Sequence, residues 1–278
     1  MLIWEVLKAL LQGVVQGITE WLPISSTGHL ILVEEFLPFS LSAAFFDLFK
    51  VVIQLGSIIA VVVAFFQKLN PFSKRKTLTE RRDTWRLWLM VAIASVPTAI
   101  VGLLFKKFDI DDVMEFPLVI AIALIVYGVL FIVMESRPRT PRLHTPNDVT
   151  WKTALLMGSF QALALIPGTS RSGSTILGAL ILGCSRYAAT EFSFFMAIPA
   201  MFGASGLEAL FFMMEGNSLS WEEWLILGIG TLVSFAVSLF VIRFLMDFIK
   251  KHDFKVFGWY RIALGVILLI LILVGALK

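Results

Sequence analysis

The side chains able to handle a phosphoryl group fall in two short polar stretches set in oily surroundings. The first, "QGITEWLPISSTGH" (16–29), holds Gln16, Glu20, Ser25, Ser26, Thr27 and His29; the second, "PGTSRSGST" (167–175), holds Gly168, Ser170, Arg171, Ser172 and Thr175. A serine attacks phosphorus well only when a neighbouring base takes its proton. His29, three residues after Ser26, is the one histidine in an apolar setting. Glu20 could orient or charge-stabilise its imidazole, or act as the base itself. Arg171 contributes a planar fork of donors that suits phosphate oxygens better than a lysine would. His144 and His252 stand beside Arg142 and Lys251 and read as solvated.

These groups need elements to hold them. Gln16 and Glu20 lie about one turn apart and project from one face of a helix. Pro23 ends that helix, and Ser25, Ser26 and Thr27 compose a turn leading to the N-cap of a helix through Leu30 and Val33. The second stretch repeats the design with more glycine and hydroxyl groups. A helix start offers free N–H groups and a partial positive charge, so two such starts make an anion site. The sum is a phosphate site with a potential nucleophile.

The surroundings are those of a membrane. The chain of 278 residues is 58% hydrophobic and only 15% charged, with a mean hydropathy of +0.89, which leaves too little polar surface for a soluble globule. Six windows are long enough to cross a bilayer as helices: 49–66, 88–105, 117–134, 192–214, 224–242 and 260–277. In such a setting an ionisable group costs on the order of 2.5 to 3.5 kcal/mol, so Glu20 needs a wet cavity, a partner or a task. The N-terminus has charges within its apolar run and no small-residue cleavage pattern before Ser25, and is expected to stay in the mature protein. The lone Cys184 reads as a small core residue. The net charge of +3 sits mostly in basic loops, with no aromatic interleaving to suggest nucleic acid.

Basic loops are retained in the cytoplasm. Lys68 to Arg86 is strongly basic and belongs inside. "KKFDIDDVME" is mostly acidic and fits outside, and the stretch with Arg137, Arg139, Arg142 and Lys152 returns inside. "MEGNSLSWEE" is outside, and "RFLMDFIKKHDFK" inside. Six spans so joined leave residues 1–45 and 151–188 each entering and returning on one side, as re-entrant helical hairpins broken at the polar turns. "GVVQGITEWLPISSTGHLI" (13–31) and "GSFQALALIPGTSRSGSTI" (158–176) also match each other. Gly13 and Gln16 fall on Gly158 and Gln161; Pro23 and Ser26 on Pro167 and Ser170; and Gly28 on Gly173, with a one-residue gap. Three spans follow each hairpin, an odd number, so the two copies, 1–135 and 151–278, must be inverted relative to one another. The expected fold is an all-α polytopic membrane domain of six spans plus two re-entrant hairpins whose tips meet inside. Gly203, Ala204 and Gly206 read as sites of close helix packing or as space for an apolar ligand.

The pairing of "QGITEWLPISSTGH" with "PGTSRSGST" resembles the membrane-embedded undecaprenyl pyrophosphate phosphatases, the bacitracin-resistance family. The likeness extends through "VVIQLGSIIAVVV" and "SRYAATEFSFFMAIPAM" to nearly the whole chain. The resemblance implies hydrolysis of undecaprenyl pyrophosphate to the monophosphate and inorganic phosphate on the outer side of the bacterial plasma membrane, recycling the lipid carrier for cell-wall synthesis. It puts the family's E/Q-x-x-x-E element on Gln16 and Glu20, its loop serine and histidine on Ser26 and His29, and its arginine on Arg171. Gln16 stands where some members have glutamate, which weakens joint chelation of a divalent ion by two carboxylates. The implied Mg or Ca ion would bridge pyrophosphate oxygens with Glu20 as its main protein ligand.

On this reading Ser26 attacks the terminal phosphorus, His29 with Glu20 handles the proton, and Arg171 with the tip amides neutralises the spreading charge. Gln16, Ser25, Thr27, Gly168, Ser170, Ser172 and Thr175 bind substrate. The alternative makes His29 the nucleophile. The expected partners are a polyprenyl pyrophosphate, membrane lipid and a second copy of the chain as a homodimer. The rival class is a secondary transporter for an anion or lipid phosphate, since broken helices in inverted repeats are also typical of carriers.

Overall fold

A computed structural model describes residues 2–108, 116–137 and 140–277. The acidic residues 109–115 and Arg139, on which part of the charge reading rests, lie outside the described residues. The fold is all-helical, with no β-strand among the described residues beyond one isolated bridge between Leu143 and Cys184. In chain order the helices are α1 (Leu2–Thr19), α2 (Ser26–Phe36), α3 (Ala43–Ala64), α4 (Leu78–Lys107), α5 (Pro117–Glu135), α6 (Trp151–Ala162), α7 (Arg171–Ile181), α8 (Arg186–Met214), α9 (Trp221–Phe248) and α10 (Lys255–Leu273), with a one-turn helix at Phe66–Leu69.

Each of the six expected windows falls on a long helix, α3, α4, α5, α8, α9 or α10, with 49–66 and 260–277 running past the C-terminal ends of α3 and α10. By length and composition α1 is a seventh helix able to cross a membrane, although it is the least apolar of the seven. Serines mark the starts of three spans. Ser42 caps α3, Ser185 caps α8, and Ser220 with Glu223 forms a reciprocal capping box on α9, each accepting an otherwise orphan helical N–H. Large apolar side chains such as Leu89, Leu103, Ile122, Leu232 and Phe240 point outward, as lipid-facing helices require. Cys184 is buried in the core, and His144 and His252 are exposed, as expected.

The helices pair across the two halves of the chain in an exchanged pattern. α1 lies on α9 and α6 lies on α4; α3 meets α8, α5 meets α10, α3 meets α9 and α8 meets α4. Backbones press together where α1 and α6 cross helices of the other half. A Cβ at Gly13 would stand 2.6 Å from the carbonyl oxygen of Gly230, and one at Gly158 would stand 2.0 Å from that of Ala94. Only glycine allows such approach. Hydroxyl groups add interhelical hydrogen bonds, with Ser57 meeting Ser234 at 2.7 Å and accepting from Ser238 at 3.0 Å. At Gly203 and Gly206, by contrast, a Cβ would meet nothing within 4 Å, so neither marks a close helix contact.

Candidate active site

The two polar bends are built alike. α1 closes with the bond from the Glu20 amide to the Gln16 carbonyl; Pro23, lacking an N–H, prevents continuation. Ser25 then takes a left-handed φ of 76°, and its Oγ accepts from the Gly28 amide to cap α2. In the second bend α6 passes through a 3₁₀ turn (Leu163–Leu165), Pro167 and Gly168 to Ser170, at φ 68°, whose Oγ accepts from the Gly173 amide to cap α7. Gly168, at φ 86°, lies so close to α5 that a Cβ would stand 2.6 Å from the Ile120 carbonyl oxygen. Ser25 and Ser170 are the only non-glycine residues with positive φ among those described, a strained geometry that persists where surrounding structure enforces it.

This corrects the register of the repeat. Ser25, and not Ser26, is the counterpart of Ser170, and with it Gly13, Gln16 and Gly28 align to Gly158, Gln161 and Gly173 without a gap. The capping geometry decides the matter because each cap serine accepts from the amide three residues on. Ser26 and Arg171 therefore occupy equivalent positions, the first residue of α2 and the first of α7.

The bends meet at a cavity of about 230 Å³. Of the residues expected at the site, Glu20, Ser25, Ser26, Thr27, Gly168, Ser170 and Arg171 line it. The Glu20 carboxylate is almost wholly buried and is the hub. Its Oε2 accepts from Ser26 Oγ at 2.7 Å and from Gln16 Nε2 at 2.8 Å, and its Oε1 accepts from Arg171 Nη2 at 2.9 Å across 151 residues of sequence. Arg171 also donates to the Ser193 carbonyl and lies over the Trp21 ring at 5.5 Å. Gln16, Ser172 and Thr175 stand behind the cavity wall. Ser172 Oγ donates to the carbonyls of Glu20 and Leu22, tying the two bends, and Thr175 Oγ1 donates to the Arg171 carbonyl and meets Ser193 Oγ.

His29 is also set back from the cavity. Its Nδ1 meets the Ser25 carbonyl oxygen at 2.7 Å, so it carries the proton, and its Nε2 then accepts from Tyr260 Oη at 2.6 Å. Its ring nitrogens bond to neither Ser26 nor Glu20. The group on the serine hydroxyl is the carboxylate.

Sequence reasoning passed over several residues that the fold brings here. Gln54, Thr98 and Gln161 line the cavity, and Gln161 donates to Thr98 Oγ1 at 3.1 Å. The match of Gln161 to Gln16 was a usable signal; Gln54 and Thr98 sit in apolar runs that carry none. Ser193, Tyr260 and Arg261 support the bends from α8 and α10.

Among the described residues no three His, Cys, Asp or Glu side chains converge on a metal position. Glu20 is the one carboxylate at the cavity, and the buried Gln16 Oε1 has no hydrogen-bond partner. One carboxylate is too few for a protein-only cage but would suit Mg²⁺ or Ca²⁺ carried largely by phosphate oxygens.

Comparison with known proteins shows the family. The family model described as "Bacitracin resistance protein BacA" matches residues 9–267. "Undecaprenyl-diphosphatase 1" of Clostridioides difficile is 56% identical over 265 residues, 95% of each chain. "Undecaprenyl-diphosphatase" of Enterococcus faecalis is 53% identical over 271 residues, 97% of this chain and 98% of that one. The Lactiplantibacillus plantarum protein of the same name is 55% identical over 267 residues, 95% of this chain and 97% of its own. With the match spanning both polar bends and every long helix but the first few residues of α1 and the last of α10, the chain belongs to the bacitracin resistance protein BacA family.

Proposed function

We propose that this protein hydrolyses undecaprenyl pyrophosphate to undecaprenyl phosphate and inorganic phosphate, returning the lipid carrier to cell-wall synthesis. The observation that carries the reading is the Ser26–Glu20–Arg171 cluster: a hydroxyl donating at 2.7 Å to a buried carboxylate that an arginine from the other bend holds at 2.9 Å. Ser26 Oγ attacks the terminal phosphorus as its proton passes to Glu20. The bond from that phosphorus to the bridging oxygen breaks, and undecaprenyl phosphate leaves. Water then attacks the phosphoserine, the bond from phosphorus to Ser26 Oγ breaks, Glu20 returns its proton to that oxygen, and dihydrogen phosphate departs with both protons of the water. Arg171 and the amides opening α2 and α7 face the charge on the equatorial oxygens.

A divalent ion held by Glu20 together with the pyrophosphate would supply further charge neutralisation. Nucleophilic attack by His29 fits the geometry less well, because both its ring nitrogens are engaged elsewhere. A trapped phosphate adduct that survives acid would support Ser26, and an acid-labile one would move the role to His29. A carrier reading is not favoured, because transport needs an anion site but no hydroxyl poised on a base.

In this reading α1–α2 and α6–α7 are re-entrant hairpins of two inverted repeats, 1–135 and 151–278, and the cavity opens to the outer side. The exchanged helix pairing and the equivalence of Gly13 with Gly158 support the repeat; the basic loops support the orientation. The activity test is phosphate release from undecaprenyl or farnesyl pyrophosphate by detergent-purified protein. Wild type should release phosphate, and Ser26→Ala and Arg171→Ala should fall to background. An inert wild type, or full release by Arg171→Ala, would refute the assignment.

A further inference from the structure

Arg261 has no role in the chemistry above, yet it is among the largest wholly buried side chains. A guanidinium shut away from water costs several kcal/mol unless its N–H groups are met. Among the described residues no ion pair includes it. Backbone oxygens meet it instead. Nη1 donates to the Pro23 carbonyl at 3.1 Å; Nη2 donates to those of Gly168 at 2.8 Å and Thr169 at 3.0 Å. Longer contacts at 3.4 Å reach Leu124 and Ala123 on α5, and the group lies over the Tyr127 ring at 5.4 Å. Pro23 belongs to the first bend, and Gly168 and Thr169 to the second. One planar group therefore fastens both bends to each other and to α5. Its neighbour Tyr260 braces the first bend again through His29 and the Ser25 carbonyl.

We propose that Arg261 is a positioning residue for the phosphatase reaction, clamping the two bends by their backbone so that Glu20 and Ser26 stay opposite Arg171. The proposal rests on the phosphatase reading for its effect on rate, but the clamp itself is a property of the fold. Lysine would not replace it. A single ammonium cannot span carbonyls on two bends the way a rigid fork does.

The test uses full-length Arg261→Lys and Arg261→Met, with two readouts. The first is steady-state hydrolysis of farnesyl pyrophosphate. Loosening the bends should lower kcat about 100-fold, as a misplacement near 1 Å does, with KM held within about threefold because the binding groups remain. The second does not depend on activity. Spin labels on cysteines at Ile18 and Leu163, exposed positions on the arms leading into the bends, are introduced with Cys184→Ala. Their distance distribution should be narrow with Arg261 and broadened in both variants. Should Arg261→Met fail to fold, Arg261→Lys carries both measurements. A variant with wild-type kcat, or label distances unchanged from wild type, overturns the proposal. A wild type that releases no phosphate removes the phosphatase reading instead, and the label distances then still decide whether Arg261 ties the bends.

Discussion

Among the described residues three side chains hydrogen-bond the Glu20 carboxylate, and each constrains it differently. Gln16 and Ser26 share one carboxylate oxygen while Arg171 takes the other. A carboxylate so held points at the serine proton and faces a fixed cation. Breaking a buried pair of this kind leaves the partner charge uncompensated. Glu20→Gln should therefore lower the initial rate of phosphate release by about 10² to 10⁴, the range for loss of a positioned base. His29→Gln should lose less than Glu20→Gln in the same assay, because His29 reaches the site only through the Ser25 carbonyl and Tyr260. The reverse order would return the base role to the imidazole. Ser26 and Arg171 open the helices that follow the two bends, so equivalent positions carry a hydroxyl in one and a cation in the other.

Helices hold those residues in register by close backbone packing. α6 presses on α4 at Gly158, where added bulk would collide with the Ala94 carbonyl, carbon and the Pro97 ring. Gly158→Ala should cost roughly 1 to 3 kcal/mol, the range for overpacking a filled interface. Gly102, in the same α4, faces open space, and a methyl group placed there would have nothing within 4 Å. Gly102→Ala should be neutral or gain up to about 1 kcal/mol from helix propensity. Thermal unfolding of the two variants in detergent checks the contrast. Equal effects would mean that the α4–α6 contact is looser than the backbone approach indicates.

For the molecule as a whole, orientation follows from where its cations lie. The basic segment from Lys68 to Arg86 and the acidic segment around Glu215 to Glu223 lie at opposite ends of their spans in the sequence-derived topology. In a Cys184→Ala background, Ser218→Cys should react with a membrane-impermeant maleimide in intact cells, and Lys74→Cys should react only after lysis. The opposite result would put the cavity's opening on the cytoplasmic side. Among the described residues seven helices have the length and apolarity to span. Whether α1 crosses or turns back with α2 changes how many times the chain traverses the bilayer, and the same labelling decides it by the side on which Ile3→Cys, at an exposed position, reacts: from outside for a hairpin, only after lysis for a crossing helix.

The membrane class, six of the long helices and the two polar bends were legible along the chain, because each depends on local pattern: apolar run length, or a proline followed by cap residues. So were Glu20, Ser26 and Arg171, scarce polar groups in oily segments. Folding supplied what no local pattern contains. It paired Glu20 with Arg171 across 151 residues, moved His29 onto Tyr260, brought Gln54, Thr98 and Gln161 into the cavity wall, and set Arg261 between two bends far away in the chain. It also fixed the repeat register, since the partner of a cap serine is an amide and not a letter. Helices form from neighbours, but the meeting of buried polar groups is settled by which helix backs can approach and which unsatisfied N–H and C=O groups are left for one another.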